Sequence, residues 1–175
     1  MYKRQVIAPT ARAVEDAFNP VKYGRFSDAP VMEIVLPTAF EDGLAPAGHH
    51  VLSAIVQFAP SSPEGGWDAH RGAFLDTILV TLEAHAPGIG ALVTAADLVT
   101  PADLEARYGM VGGNWHHGEL AVERMLFLRP TIGAAQYAAP IPGLWLAGAG
   151  CHPGGGVSGA AGWNAAGRIL SGARA

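Results

Sequence analysis

The residues best suited to meet a ligand lie between Gly143 and Gly167. An apolar run, Leu144–Ala147, leads through Gly148-Ala149-Gly150-Cys151-His152-Pro153 into Gly154-Gly155-Gly156 and then a helical pattern from about Val157 to Leu170. Three successive glycines remove every Cβ that would hold a ligand away from the backbone. A helix opening there offers free N–H groups and the positive end of its macrodipole, which suits an anion or the polar edge of a heterocycle. Gly159 and Gly162, with Ala160, Ala161, Ala165 and Ala166, give that helix a small-residue face for close packing. The same residues describe equally well a tightly packed strand–helix corner with no ligand. They do not form a dinucleotide fingerprint. Gly148-Ala149-Gly150 starts like G-x-G-x-x-G, but Pro153 stands where the third glycine belongs, and Gly88-Ile89-Gly90 leads into Ala91-Leu92-Val93.

Other reactive residue types weigh less. His116-His117-Gly118-Glu119 lacks the H-E-x-x-H spacing and an evident third ligand, so a metal centre is not expected. The loop from Gly112-Gly113 to His117-Gly118 is instead a candidate to face a cofactor or substrate, against an even chance of being a buried, hydrogen-bonded turn. This makes Gly113, His116, His117 and Arg129 substrate-face candidates, with Arg129 anchoring the loop or meeting substrate and a surface ion pair equally open to it. Cys151 has no C-x-x-C partner and is expected to be a spectator. Ser158 stands in Gly156-Val157-Ser158-Gly159-Ala160, which is not a G-x-S-x-G elbow. Trp115, Trp145 and Trp163 fit core or wall positions, and His49-His50 a solvated loop end.

The elements that must position these residues form an α+β pattern, a mixed or antiparallel sheet with interspersed helices and a C-terminal strand–turn–helix. A short helix is expected at Ala11–Phe18, closed by Asn19-Pro20. Val31–Leu36 and Val51–Phe58 alternate as half-buried, antiparallel strands. After Gly65-Gly66, the spacing of Phe74, Leu75, Ile78, Leu79 and Leu82 predicts an amphipathic helix, with Asp68 as its cap and Pro87-Gly88 as its stop. Leu92–Val99 suggests another strand. Thr100 at an N-cap, Pro101 at the first helical position and Asp103 in the first turn open a further helix. Residues 109 to about 142 look irregular, and strand order stays open.

The 175 residues suit one compact domain or one with a small appendage, and at 50% hydrophobic and 15% charged the composition is globular. A net charge of −4 with scattered basic residues gives no case for nucleic-acid binding. One cysteine excludes an intrachain disulfide and favours a reducing compartment. The N-terminus does not resemble a signal peptide, and apolar runs fall short of the ~20 residues a membrane span needs. The expected location is cytoplasmic. Fourteen of the 23 glycines fall from Gly109 to Gly167, where backbone must approach something closely.

The string GLWLAGAGCHPGGGVSGAAGWNAA resembles the C-terminal flavin-binding signature of the phytoene desaturase-like FAD-dependent oxidoreductases. It is nearest the subgroup containing pyridine nucleotide-disulphide oxidoreductase domain-containing protein 2. YGMVGGNWHHGELAVERMLFLRP (Tyr108–Pro130), the stretch from Lys22 to Pro60 and GGWDAHRGAF extend the likeness over nearly the whole chain. The resemblance implies a two-domain FAD-oxidoreductase fold of which this chain lacks the N-terminal Rossmann segment. Residues 1–142 would be substrate-domain-like, and 143–175 the flavin-binding strand–turn–helix. Gly148, Ala149 and Gly150 would approach the ribityl–pyrophosphate part of FAD. His152, Pro153, Gly154, Gly155, Gly156 and Val157 would line the ring, with the backbone N–H near Val157 at its pyrimidine edge and Gly159 behind. Wider relatives carry an acidic residue after the strand, where this chain has Gly-Ala-Gly. The implied activity is hydride transfer from a small apolar substrate to flavin. The implied partner is the missing FAD-binding half, on a longer chain or a separate one, with homo-oligomers and peripheral membrane contact left open. The competing expectation is a non-catalytic module, binding a ligand or partner, that has lost flavin.

Overall fold

A computed structural model describes residues 4–172. Over those residues the chain is α+β, with a three-stranded antiparallel sheet and four α-helices. By compactness it divides into two units, residues 1–103 and residues 104–175.

In the first unit, β1 (Arg4–Ile7), β2 (Met32–Val35) and β3 (Ser53–Val56) pair in the order β1-β2-β3. Met32 faces Val56 and Ile34 faces Ala54 in the register, as the alternation of the two expected strands requires. Strand β1 was not legible in the sequence: of its four residues only Ile7 is buried. Helix α1 (Ala11–Phe18) starts at Thr10, whose hydroxyl accepts from the Ala13 N–H, and gives way to a 3-10 turn at Asn19–Tyr23.

Helix α2 (Trp67–His85) lays Trp67, Phe74, Ile78 and Leu82 along one stripe. That stripe shares a buried cluster with Ile7, Met32 and Ile34, and Phe26, Leu52 and Val56 pack against its margin. The helix begins earlier than a cap at Asp68 allows. Gly66, at φ 79°, is the N-cap and supplies no side chain, while Asp68 lies inside the first turn, where its charge favours the macrodipole. The stop at Pro87-Gly88 holds. Glu83 reaches past it and accepts from the Gly88 and Gly90 N–H groups at 2.7 and 2.8 Å.

The strand expected at Leu92–Val99 does not form. A 3-10 turn takes Gly90–Leu92, and the residues after it are mostly exposed and have no ladder partner. Helix α3 (Pro101–Tyr108) opens as the sequence predicts. Thr100 Oγ1 accepts from the Asp103 N–H and the Asp103 carboxylate accepts from the Thr100 N–H, a reciprocal capping box. Arg71 adds a two-pronged contact to the same carboxylate, at 2.9 and 3.0 Å. Beyond α3, turns and short 3-10 segments carry the chain to α4 (Ala160–Leu170). Among the described residues no helix is long and apolar enough to cross a membrane.

Candidate functional site

The second unit holds every candidate residue. Its apolar run Leu144–Ala147 does not become a strand. It makes one β-bridge, Ala138 to Trp145, flanked by bonds from Ala139 N–H to the Leu144 carbonyl and from Leu146 N–H to the Tyr137 carbonyl. The returning chain is too short and too quickly turned into the glycine-rich segment to pair further. The following helix also starts later than its small-residue pattern suggests. Gly156 at φ 139° and Gly159 at φ 66° cannot be helical, so α4 begins at Ala160 with Gly159 as its N-cap. No side chain caps that terminus by accepting from its inner N–H groups. Val157 therefore stands fully exposed ahead of the helix rather than in its first turn.

Arg129 is buried, 3% exposed, and lies beside the glycine-rich turn. Its Nη2 donates to the carbonyls of His116 at 2.5 Å and Ala149 at 2.9 Å, and its Nη1 to that of Glu119 at 3.3 Å. The surface ion pair offered as its alternative is not what forms. Its Nε is buried without a partner among the described residues. Two glycines with left-handed backbone lie against the guanidinium. A Cβ on Gly154, at φ 107°, would sit 3.6 Å from Nε, and one on Gly118, at φ 144°, 3.8 Å from Nη1. The candidate loop meets the turn again at Gly155, where a Cβ would come within 3.3 Å of His116 Nδ1.

A second tie crosses the helix. The Tyr137 hydroxyl donates to the His152 carbonyl and accepts from the Asn164 amide, both at 2.9 Å. Tyr137, Cys151, Ala161 and Ala165 form the small buried cluster of this unit, with Trp145 and Leu146 against it. Leu126, Phe127, Tyr137, His152, Trp163 and Asn164 line a cavity of about 630 Å3. Trp163 is a wall of that cavity and not core, being 82% exposed. Burial pushes the Cys151 thiol up from its ordinary pKa, opposed by a hydrogen bond from the Gly148 backbone and by the positive charge of Arg129. That suits a spectator thiol rather than a nucleophile.

Of the residues singled out by sequence, His116, Arg129, Ala149, Gly154 and Gly155 come together, and Gly150 lies against His117 Cβ. Gly113 lies in its own 3-10 turn, Val111–Gly113. Gly148, Gly156 and Gly159 border open space, and Pro153 is exposed. Tyr137 and Asn164 were missed. The available signal was a lone amide on an otherwise Gly/Ala helix face, which calls for a buried polar partner.

Pyridine nucleotide-disulfide oxidoreductase domain-containing protein 2 of Rattus norvegicus is 40% identical over 156 residues, 87% of this chain and 27% of that protein. A neurosporene-forming phytoene desaturase of Cereibacter sphaeroides is 28% identical, covering 85% of this chain and 28% of its own length. A limonene dehydrogenase component from Castellaniella defragrans is 29% identical over 66% of the chain and 21% of that protein. These relatives indicate an oxidoreductase family, and the chain is similar to its phytoene desaturase-like members. It spans about a quarter of the length of these family members. No family model and no solved structure matches it. The glycine-rich turn and the Arg129 contacts are thus features of a chain from an oxidoreductase family.

Proposed function

We propose that this chain is the C-terminal portion of an FAD-dependent oxidoreductase that removes hydride from an apolar substrate. A segment outside these residues, or a partner chain, holds the nucleotide half of the cofactor. Residues 143–175 serve the flavin and residues 1–142 contribute to the substrate domain, within a two-domain enzyme. The observation that carries the reading is the open turn from Gly148 to Gly159. Added Cβ atoms at Gly148, Gly156 and Gly159 would meet nothing within 4 Å, and the N-cap Gly159 of α4 has no side chain, so that only the Ala160 N–H is taken, by the Ser158 hydroxyl at 3.3 Å. Bare backbone and the remaining first-turn N–H groups fit a flat, polar-edged ring that gains negative charge.

When bound, flavin supplies the hydride acceptor, which is chemistry no side chain of this unit offers. Gly148, Ala149 and Gly150 would carry backbone toward the ribityl chain. His152 to Val157 would follow the ring, the Val157 N–H serving its pyrimidine edge. Leu126, Phe127 and Trp163 at the cavity rim suit an apolar substrate, and the relatives named for limonene and phytoene support that class at a distance. Val157, Trp163 and Leu170 are largely exposed on the same unit, so self-association, or contact with the missing half or a membrane surface, would cover them.

The test is a visible absorbance spectrum of the purified chain, alone and with FAD, and again after co-expression with the dinucleotide-binding half of a family member. A flavin band retained through gel filtration supports the reading. Failure to take up flavin in either form overturns it and favours a non-catalytic ligand- or partner-binding module.

A further inference from the structure

We infer that Arg129 is a positioning residue, tethering the 116–119 loop to the glycine-rich turn and holding a fixed positive charge beneath it. The inference rests on the flavin reading above and extends it to a residue that reading leaves without a role.

The geometry is specific to a guanidinium. Two carbonyls of one segment, His116 and Glu119, and one carbonyl of another, Ala149, converge on a single planar fork. An ammonium could reach one or two of these, but not three in one plane. Gly118 and Gly154 hold backbone angles that side chains rarely adopt, and both approach the fork from opposite segments. Loop and turn thus both pack on this side chain, together with Leu120. The two segments also meet at His116 against Gly155 and His117 against Gly150.

The charge is as informative as the tether. Among the described residues the ion pairs are Arg4–Glu33, Arg12–Asp16 and Arg71–Asp103, and Arg129 takes part in none. Carbonyl dipoles alone compensate a cation that is 3% exposed. Buried charges are ordinarily paired, because desolvation is otherwise expensive. A cation kept unpaired here leaves a positive field under the turn, and that field reaches the neighbouring Cys151 thiol. A ring accepting hydride against the turn would be stabilised by it, a preorganised electrostatic effect.

Two measurements decide the matter. The first is hydrogen exchange on the chain itself, without flavin. Arg129→Lys should raise exchange at least about tenfold in both 116–119 and 148–156, since both lose the same fork. Acceleration in only one segment, or in neither, overturns the tether. The second is the reduction potential of flavin bound to the co-expressed assembly. Arg129→Gln should lower the potential and Arg129→Lys should restore most of it, because charge and not shape sets the field. Equal potentials in wild type and Arg129→Gln overturn the electrostatic role. If Arg129→Gln does not fold, Gly154→Ala replaces it. This variant keeps the cation but strains the turn at φ 107°, and should loosen flavin retention several-fold with little change in potential. A potential that falls with Gly154→Ala as far as the field would explain overturns the assignment to charge. An assembly that binds no flavin at all sinks the flavin reading and the electrostatic role with it, while the exchange result still decides the tether.

Discussion

Around Met32 and Phe74 the chain is held by apolar side chains from a sheet and a helix that interdigitate in one cluster. Around Arg129 and Tyr137 it is held by two polar side chains that bond backbone carbonyls, over a cluster of four buried residues. The first arrangement needs regular elements that bring many apolar side chains together. The second lets backbone stay irregular, with glycines open to one side, because single side chains stand in for a missing ladder. Backbone left open in this way is not buried in a sheet, and the contrast is between an apolar scaffold and an irregular region tied by single polar side chains.

The largest expected effect tests the scaffold. Phe74→Ala should cost about 3–5 kcal/mol, the usual range for an aromatic removed from a packed core. Urea denaturation followed by exchange of the α2 and sheet amides reads it, and a loss under about 1 kcal/mol would mean the cluster is not the source of stability. Tyr137→Phe tests the other region. It keeps the ring in its cluster but leaves the His152 carbonyl and the Asn164 amide unpartnered, at a cost of about 1–3 kcal/mol to residues 104–175. Asn164→Ala alone should cost less, and an equal loss in both variants would show that the carbonyl bond contributes little. Thr100→Ala removes one side of the capping box and should cost about 1 kcal/mol in the same denaturation experiment.

The smallest effect is a pH dependence. The Arg71 contact first, then the Thr100 N–H and hydroxyl, hold the Asp103 carboxyl well below the usual carboxylate range. A depressed pKa contributes stability that is fully present above the unfolded value and is lost as pH falls toward the folded one. Residues 4–103 should thus become easier to unfold below about pH 4. Asp103→Asn should flatten that slope, and an unchanged slope would assign it to other carboxylates.

What the sequence made legible follows the same divide. Helix α1, strands β2 and β3 and the start of α3 carry local signals in Asn19-Pro20, the alternation about Met32 and Ile34, and the Thr100–Asp103 box, and all form. Strand β1 carries none, because an edge strand with one buried residue has no pattern to show. Leu92–Val99 has a strand's composition but no neighbour to pair with, and composition cannot supply one. In the second region the glycines announced where backbone lies open, and His116 and Arg129 were flagged as its neighbours. The bonding of Arg129 to three carbonyls depends on contacts between segments far apart in sequence, and so does the Tyr137–Asn164 pair. Periodicity is blind to both.

The lone cysteine gives the molecule a built-in clock. Cys151 is sealed under the glycine-rich turn, 3% exposed, with its thiol pushed toward the unreactive protonated form. A colourless reagent that turns yellow on meeting a thiolate will find nothing until that turn lifts. At reagent high enough to outpace reclosing, its rate of colouring reads the rate of those openings, in any variant that leaves residue 151 in place.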